Sequence, residues 1–212
     1  MAGIMRRVLC LCLLAFAACT DAASDDTDNV TELDPGPPLG KEDSAGVPTL
    51  SAVPQAVQAL AELGVHRKVQ LVVSGGIRTG ADVAKALALG ADAVAIGTAA
   101  LIALGDNHPR YAAEYEKLGS AAGFFDDFQD VTDPAGISTQ DPQLAARFDP
   151  VEGGRRLANY LRVLTMEAQT IARACGKAHV CHLEPEDLVA VTIEAAAMAR
   201  VPLAGTTWIP GQ

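Results

Sequence analysis

The sequence predicts an α/β fold with parallel strands. Two short apolar runs rich in alanine and β-branched residues, at 69–73 and 93–96, are separated by an amphipathic segment that has helical capping residues at its start and a glycine at its end. A strand, a helix and a second strand in this order are joined by a right-handed crossover, which makes the strands parallel. A glycine-containing turn follows each run, so both strands are expected to end at flexible loops.

The first elements follow from local signals. Residues 54–64 predict a short amphipathic helix with Pro54 in its first turn and Gly64 at its end. The run at 69–73 predicts a parallel strand covered on both faces. Thr79 and Asp82 have the spacing of a capping box, so a helix is expected to begin there and to end at Gly90.

The remaining elements are mostly helical. Residues 93–96 predict the second strand, and residues 98–104 a short helix after it. Residues 154–175 predict a core-facing helix, because its apolar residues form one stripe: Leu157, Tyr160, Leu161, Leu164, Ala168, Ile171 and Cys175. The segment 183–188 predicts a further helix, with Pro185 in its first turn.

The amino-terminal part has a different composition. Residues 1–19 place Arg6 and Arg7 before a short apolar run that ends in small residues, which is typical of a secretory signal. Cys19 follows this run as in a bacterial lipoprotein, so it is a candidate for lipidation and for the only membrane attachment. Residues 20–47 predict a disordered acidic linker, and residues 48–212 the globular domain. The leader favours the cell envelope, whereas the two body cysteines, Cys175 and Cys181, favour a reducing compartment.

Charge restricts the partners. The chain has 212 residues and a formal net charge of −10. Such an acidic balance argues against binding to nucleic acid by general charge attraction. Small anionic ligands stay compatible with it, because they need only a local site.

The glycine-containing turns predict such a site. Ser74, Gly75 and Gly76 follow the first strand, and Gly97 and Thr98 follow the second. Glycine lets backbone N–H groups approach an anion without a Cβ, and a helix start adds partial positive charge. One such turn would be taken as a tight connection, but two at neighbouring strand ends predict a phosphate site, as after strands seven and eight of an eight-stranded α/β barrel.

Longer segments carry a resemblance to a known family. Residues 74–98, "SGGIRTGADVAKALALGADAVAIGT", resemble the flavin-phosphate segment of several barrel oxidoreductases. Residues 133–150, "DPAGISTQDPQLAARFDP", and 153–176, "GGRRLANYLRVLTMEAQTIARACG", resemble the carboxyl end of FMN-binding glutamate synthases. The resemblance covers residues 46 to 212. It implies the C-terminal portion of a TIM-type (β/α)8 barrel followed by C-terminal helices.

The resemblance also implies a function. Members of this family condense 2-oxoglutarate with ammonia released from glutamine and reduce the imine to glutamate with hydride from FMN. By motif, the FMN phosphate would be bound by Ser74, Gly75, Gly76, Gly97 and Thr98, with Arg78 as a weaker candidate. No catalytic residue can be assigned by this resemblance.

Two departures from the family pattern affect these expectations. Asp106 and Asp133 stand where the first and third cysteines of a [3Fe–4S] cluster would fall, so no iron–sulfur cluster is expected. Two convincing strands are also fewer than the eight of a complete barrel. The chain alone is therefore expected to be inactive and to need a missing barrel half or a second copy. The alternatives are a non-catalytic envelope lipoprotein with a barrel remnant, and another FMN- or phosphate-binding barrel enzyme.

A group of cysteines and histidines near the carboxyl end is a weak candidate for a metal site. Cys175, His179, Cys181 and His182 contain metal-ligating side chains, but their spacing fits no familiar zinc pattern. Core packing and helix-end roles are expected for them, and no metal. Asp126 and Asp127 are expected to form a surface contact and not an acid/base pair.

Overall fold

A computed structural model of the chain describes residues 47–120 and 132–211. The predicted signal with Cys19, almost all of the predicted linker and the pair Asp126 and Asp127 lie outside these residues. In chain order the described elements are α1 (Thr49–Glu62), β1 (Val72–Ser74), α2 (Gly80–Ala88), β2 (Ala93–Ala95), α3 (Thr98–Leu104), α4 (Ala112–Leu118), α5 (Pro142–Ala145), α6 (Pro150–Ala174) and α7 (Ile193–Ala199).

The two strands form a parallel pair, so the α/β prediction is confirmed. Val73 of β1 pairs with Val94 of β2, and α2 supplies the crossover between them. Leu71 donates its N–H to Asp92 at 2.8 Å, which fixes the start of β1 beside the start of β2. The carboxyl ends of both strands therefore lie together at one edge of the sheet.

The core is shared by strands and helices. Helix α6 packs against α2 and α3, and α1 packs against α7 and β1. The central cluster joins β1 and β2 to four of these helices through buried side chains that include Val53, Val73, Val83, Leu87, Val94, Leu164 and Ala196. The segment between the two strands was predicted to be amphipathic, and α2 buries Val83, Ala84 and Leu87 on its inner face.

One side of the sheet differs from the prediction. The run at 69–73 was expected to be covered on both faces, but Val72 is 58% exposed and Val69 is 50% exposed. The strand itself is short and begins only at Val72. Two strands cannot enclose both faces, so an apolar surface remains open to solvent in the described part of the chain.

Two helix boundaries also differ. Helix α1 begins at Thr49, so Pro54 lies inside it and not in its first turn. The Pro48 carbonyl accepts hydrogen bonds from Ser51 and Ala52, so the helix is established before the proline is reached. Pro185 begins only a 3₁₀ turn, Pro185–Asp187, because Ala190 soon forms a bridge with Leu203 in extended backbone.

Two helices match their sequence signals, and the long helix predicted over 154–175 begins earlier, at Pro150. Helix α2 begins with the predicted Thr79 and Asp82 capping box, and α3 spans the predicted residues. Helix α6 extends over Pro150–Ala174 and begins at Asp149, whose carboxylate accepts the N–H groups of Val151 and Glu152. Across residues 47–120 and 132–211, none of the helices has both the length and the apolar character needed to cross a membrane.

Candidate functional site

A cavity lies at the carboxyl ends of β1 and β2. Its volume is about 600 Å³. It is lined by residues of the two strand-end loops, of α3 and of α6: Ser74, Gly75, Gly76, Ile77, Arg78, Ala95, Ile96, Gly97, Thr98, Ala99, Ile102, Ala103 and Tyr160. All six residues that the sequence predicts as phosphate ligands therefore line one cavity.

The loop after β1 depends on its glycine pair. Gly75 has φ +107° and Gly76 has φ +74°, a left-handed backbone that favours glycine. A Cβ on Gly76 would meet no protein atom within 4 Å, so the space in front of this residue is open. The turn thus exposes backbone to the cavity at Gly76.

The backbone N–H groups at the start of α2 are already hydrogen-bonded to carboxylates of the protein. The Asp82 carboxylate accepts from the N–H groups of Arg78 and Thr79, at 3.1 and 3.0 Å. Glu167 of α6 accepts the N–H of Gly80 at 2.7 Å. The expectation that this helix start would attract the anion therefore needs correction, because two carboxylates already occupy its first amides.

The loop after β2 has no such cap. Gly97 is the N-cap residue of α3, and no side chain caps this helix start. A Cβ on Gly97 would meet nothing within 4 Å. In the described residues, no backbone hydrogen bond outside the helices and strands is donated by Gly75, Gly76 or Gly97. The two loops therefore present glycine backbone to the same cavity.

Arg78 and Tyr160 complete the cavity wall. Among the described residues that line it, Arg78 is the only one with a charged side chain. Tyr160 donates its hydroxyl to the Arg78 carbonyl at 2.7 Å. Burial raises the pKa of Tyr160, and the charge of Asp82 raises it further. The sequence placed Tyr160 on the core stripe of α6 but gave no signal that its hydroxyl reaches the loop.

A second, smaller cavity lies between the end of α3 and the start of α6. Its volume is about 190 Å³, and its lining includes Arg110, Arg147 and Arg156. Arg147 pairs with Glu114 at 2.8 Å, and Arg156 pairs with Glu152 at 3.0 Å. These paired charges, together with Asp149 in the same lining, leave this cavity without a clear preference for an anion.

The two aspartates at the cysteine positions meet in the interior. Asp106 and Asp133 are 4% and 2% exposed, and the Tyr115 hydroxyl bonds to both carboxylates. Asp133 also accepts from the N–H groups of Ile137 and Ser138, at 2.7 and 2.9 Å. Burial raises the pKa of Tyr115 well above its usual range, and its hydrogen bond to Asp106 adds to this effect. The position where a cluster was expected to be absent is therefore filled by the side chains of Asp106, Asp133 and Tyr115, which are hydrogen-bonded to one another.

The cysteine and histidine segment lies at the end of α6. Cys175 is half-buried at the helix end, and Cys181 is exposed in the 3₁₀ turn Val180–His182. His179 accepts the N–H of Cys181 through Nδ1 at 3.2 Å. Within the described ranges, no three His, Cys, Asp or Glu side chains are grouped as metal ligands would be.

Comparison with known proteins identifies the relatives. The "Conserved region in glutamate synthase" matches residues 38–112 and 131–178, more than half of the chain. The chain is 70% identical over 170 residues to a "Glutamate synthase large subunit-like protein" of Rhizobium meliloti, which is 80% of this chain and 38% of that protein. It is 41% identical over 139 residues to an "Archaeal-type glutamate synthase [NADPH]" of Thermotoga neapolitana, covering 66% of this chain and 24% of the relative.

A further relative agrees. An "Archaeal glutamate synthase [NADPH]" of Methanocaldococcus jannaschii is 40% identical over 134 residues, which is 63% of this chain and 23% of the relative. No solved structure matches the chain significantly. The chain thus spans well under half the length of these curated relatives. The matched region and the three relatives together show that the chain belongs to the glutamate synthase family.

Proposed function

We propose that the cavity between the two strand-end loops binds the phosphate end of FMN, and that residues 48–212 are part of a glutamate synthase-type oxidoreductase barrel. The observation that carries this proposal is the open space in front of Gly76 and Gly97, which face one cavity. A Cβ at either position would fill that space. The family membership gives the ligand its identity.

The residues fit a flavin mononucleotide. A volume of about 600 Å³ lies in the range of cofactor sites. Arg78 provides the positive charge, Ser74 and Thr98 provide hydroxyl groups, and Ile96 and Ile102 provide an apolar wall. An anionic group beside Gly76 and Gly97 and a less polar group farther along α3 would both be accommodated.

The role of this chain in the reaction is to bind and orient. When bound, FMN would supply the hydride that reduces the imine of 2-oxoglutarate and ammonia to glutamate. The two loops would hold the phosphate, and Arg78 would balance its charge. No residue among those described is assigned to proton transfer, because the roles proposed for this chain concern only the binding of FMN.

The rest of the barrel would come from another segment. The exposed apolar residues Val69 and Val72 lie at β1, and the relatives are much longer than the matched region. We propose that a complementary barrel part, or a second copy, covers this side of the sheet. Glutamate formation would require that complement, because hydride transfer needs both reactants enclosed and in contact.

The test of the cavity is flavin binding by the full chain. Titration with FMN and with inorganic phosphate, followed by flavin fluorescence and calorimetry, should show binding at one site. Gly97→Ala should weaken both affinities at least about tenfold, because the added methyl group occupies space next to the anion. Gly154→Ala is the matched control, since its Cβ also meets no atom within 4 Å but lies on α6 away from the cavity lining.

Two results would contradict the proposal. Absence of FMN and phosphate binding by the wild-type chain would remove the cofactor assignment. Equal affinities for the wild type and Gly97→Ala would remove the loop as the binding surface.

A second experiment tests the proposed complementary barrel part. The full chain is mixed with the remainder of the Rhizobium meliloti relative, 2-oxoglutarate, ammonium and a reductant, and glutamate is measured with and without the added part.

A further inference from the structure

We propose that Tyr160 is a positioning residue for the cavity, because its hydroxyl holds the Arg78 carbonyl and thereby fixes the loop from Gly75 to Arg78 before a ligand binds. The identity of the ligand in this inference rests on the proposed function. The fixing of the loop is a property of the protein alone.

Both backbone polar groups of Arg78 are held by side chains. Its carbonyl accepts from Tyr160 at 2.7 Å, and its N–H donates to Asp82 at 3.1 Å. These two contacts come from different helices, α6 and α2. They restrict the two peptide planes that adjoin Arg78 and so set the point from which its side chain extends at the cavity.

The loop needs such an anchor because of its glycines. Gly75 and Gly76 both have positive φ, and glycine loses more backbone freedom on ordering than any other residue type. A loop that ordered only on binding would lose this freedom at the expense of affinity. The hydrogen bond from Tyr160 lets the loop be ordered on folding.

A second contact from the same helix supports the arrangement. Glu167 lies seven residues after Tyr160, on the same face of α6, and accepts the N–H of Gly80 at 2.7 Å. A Cβ on Gly80 would lie 2.4 Å from the Leu164 carbonyl oxygen, so the backbones of α2 and α6 are in direct contact there. Helix α6 therefore holds the segment 78–80 at both ends, and only the Tyr160 end lines the cavity.

The test uses the full chain without ligand. Tyr160→Phe removes the hydroxyl and keeps the ring, so the core packing is preserved. We expect the amides of Arg78 and Thr79, which donate to Asp82, to exchange with solvent roughly fivefold faster, the factor that corresponds to one net hydrogen bond. The dissociation constant for inorganic phosphate should rise by a similar factor, while the thermal midpoint should fall by no more than about 4 °C.

The matched control is on the same helix. Thr165→Val removes a hydroxyl that donates to the Leu161 carbonyl at 2.8 Å, away from the cavity. It should change neither the loop exchange nor the phosphate affinity. Restored loop protection in Tyr160→Phe by added phosphate would show that the ligand and the hydroxyl order the same segment.

Two outcomes would overturn the inference. One is unchanged loop exchange in Tyr160→Phe, and the other is equal acceleration in Thr165→Val, which would indicate a general loss of helix stability. If the wild type binds neither phosphate nor FMN, the proposed function fails. Amide exchange of the loop in the variants without ligand still tests the positioning role of Tyr160, because that measurement needs no ligand.

Discussion

The two helices that follow the parallel strands begin in opposite ways. Helix α2 begins behind a closed set of side-chain acceptors, in which Thr79, Asp82 and Glu167 take up the first amides. Helix α3 begins at Gly97 with no side-chain cap. Two strand-glycine-helix segments that look alike in the sequence therefore differ in whether their own side chains complete them.

This difference separates structural from binding roles. Where the chain caps a helix with its own carboxylates, an anion meets negative charge, and the capping residues serve stability. Where the chain leaves a glycine and open space, stability depends little on that position and an external group can approach. Each of the following substitutions tests one side of this comparison.

The largest effect is expected at Gly80. Gly80→Ala would place a Cβ 2.4 Å from the Leu164 carbonyl oxygen and 2.6 Å from the Ala168 nitrogen. Backbone atoms cannot rotate away, so we expect a loss of about 3 kcal/mol in the free energy of unfolding. Chemical denaturation measures it. A gain of about 1 kcal/mol, the usual result for alanine in place of a helical glycine, would contradict the close contact of α2 and α6.

A smaller effect is expected at Asp82. Asp82→Ala removes the acceptor for Arg78 and Thr79 and should lower the free energy of unfolding by about 1–2 kcal/mol. Lys85→Ala is the control, because it removes only an exposed ion pair with Asp82 and should change stability by no more than about 0.5 kcal/mol. Equal losses in both variants would mean that the ion pair, and not the cap, stabilises α2.

The same carboxylate predicts a pH dependence. Burial alone would raise the pKa of Asp82, but hydrogen bonds from Thr79 and Arg78 and the charge of Lys85 lower it below 3.8 overall. The pKa of Asp82 is lower in the folded state than in the unfolded state. Its contribution to stability is therefore fully present above the unfolded pKa and is lost as pH falls through the folded pKa. Asp82→Asn should therefore show a flatter decline of unfolding free energy below about pH 4 than the wild type. Identical slopes would contradict the assignment.

The smallest effect on stability is expected at Gly97. Its φ is negative, and its Cβ would meet no atom within 4 Å. We expect Gly97→Ala to change the free energy of unfolding by less than about 0.5 kcal/mol, as for other surface positions. A loss comparable to that at Gly80 would show that this loop, like the start of α2, is part of the packed structure.

Much of the fold follows from local sequence signals. The parallel strands, the capping box at Thr79 and the range of α3 are confirmed, because they depend on residues that are close together in the chain. The start of α1 was wrong, since a proline is a weak marker of the first turn when earlier carbonyls already have partners. The exposure of Val72 follows from how few strands surround it, which the strand pattern itself does not contain.

The candidate site was predictable only in part. The glycines at 75, 76 and 97 are visible as a pattern, and the structure brings them to one cavity. Tyr160 and Glu167 were not predictable as loop contacts, because Tyr160 lies 82 residues from Arg78 and Glu167 lies 87 from Gly80 in the chain. Their periodicity indicates only which face of the helix they share. Whether these residues bind FMN stays a prediction.

Helix α6 is a long helix that contacts the segment 78–80 directly. Its 25 residues extend about 37 Å, and the segment 78–80 is fastened to it through Tyr160, Glu167 and the missing side chain of Gly80. Val163 and Met166 are exposed on this helix, at 62% and 57%. A tilt imposed there, by a mutation or by a neighbouring surface, would act on the loop directly through these contacts.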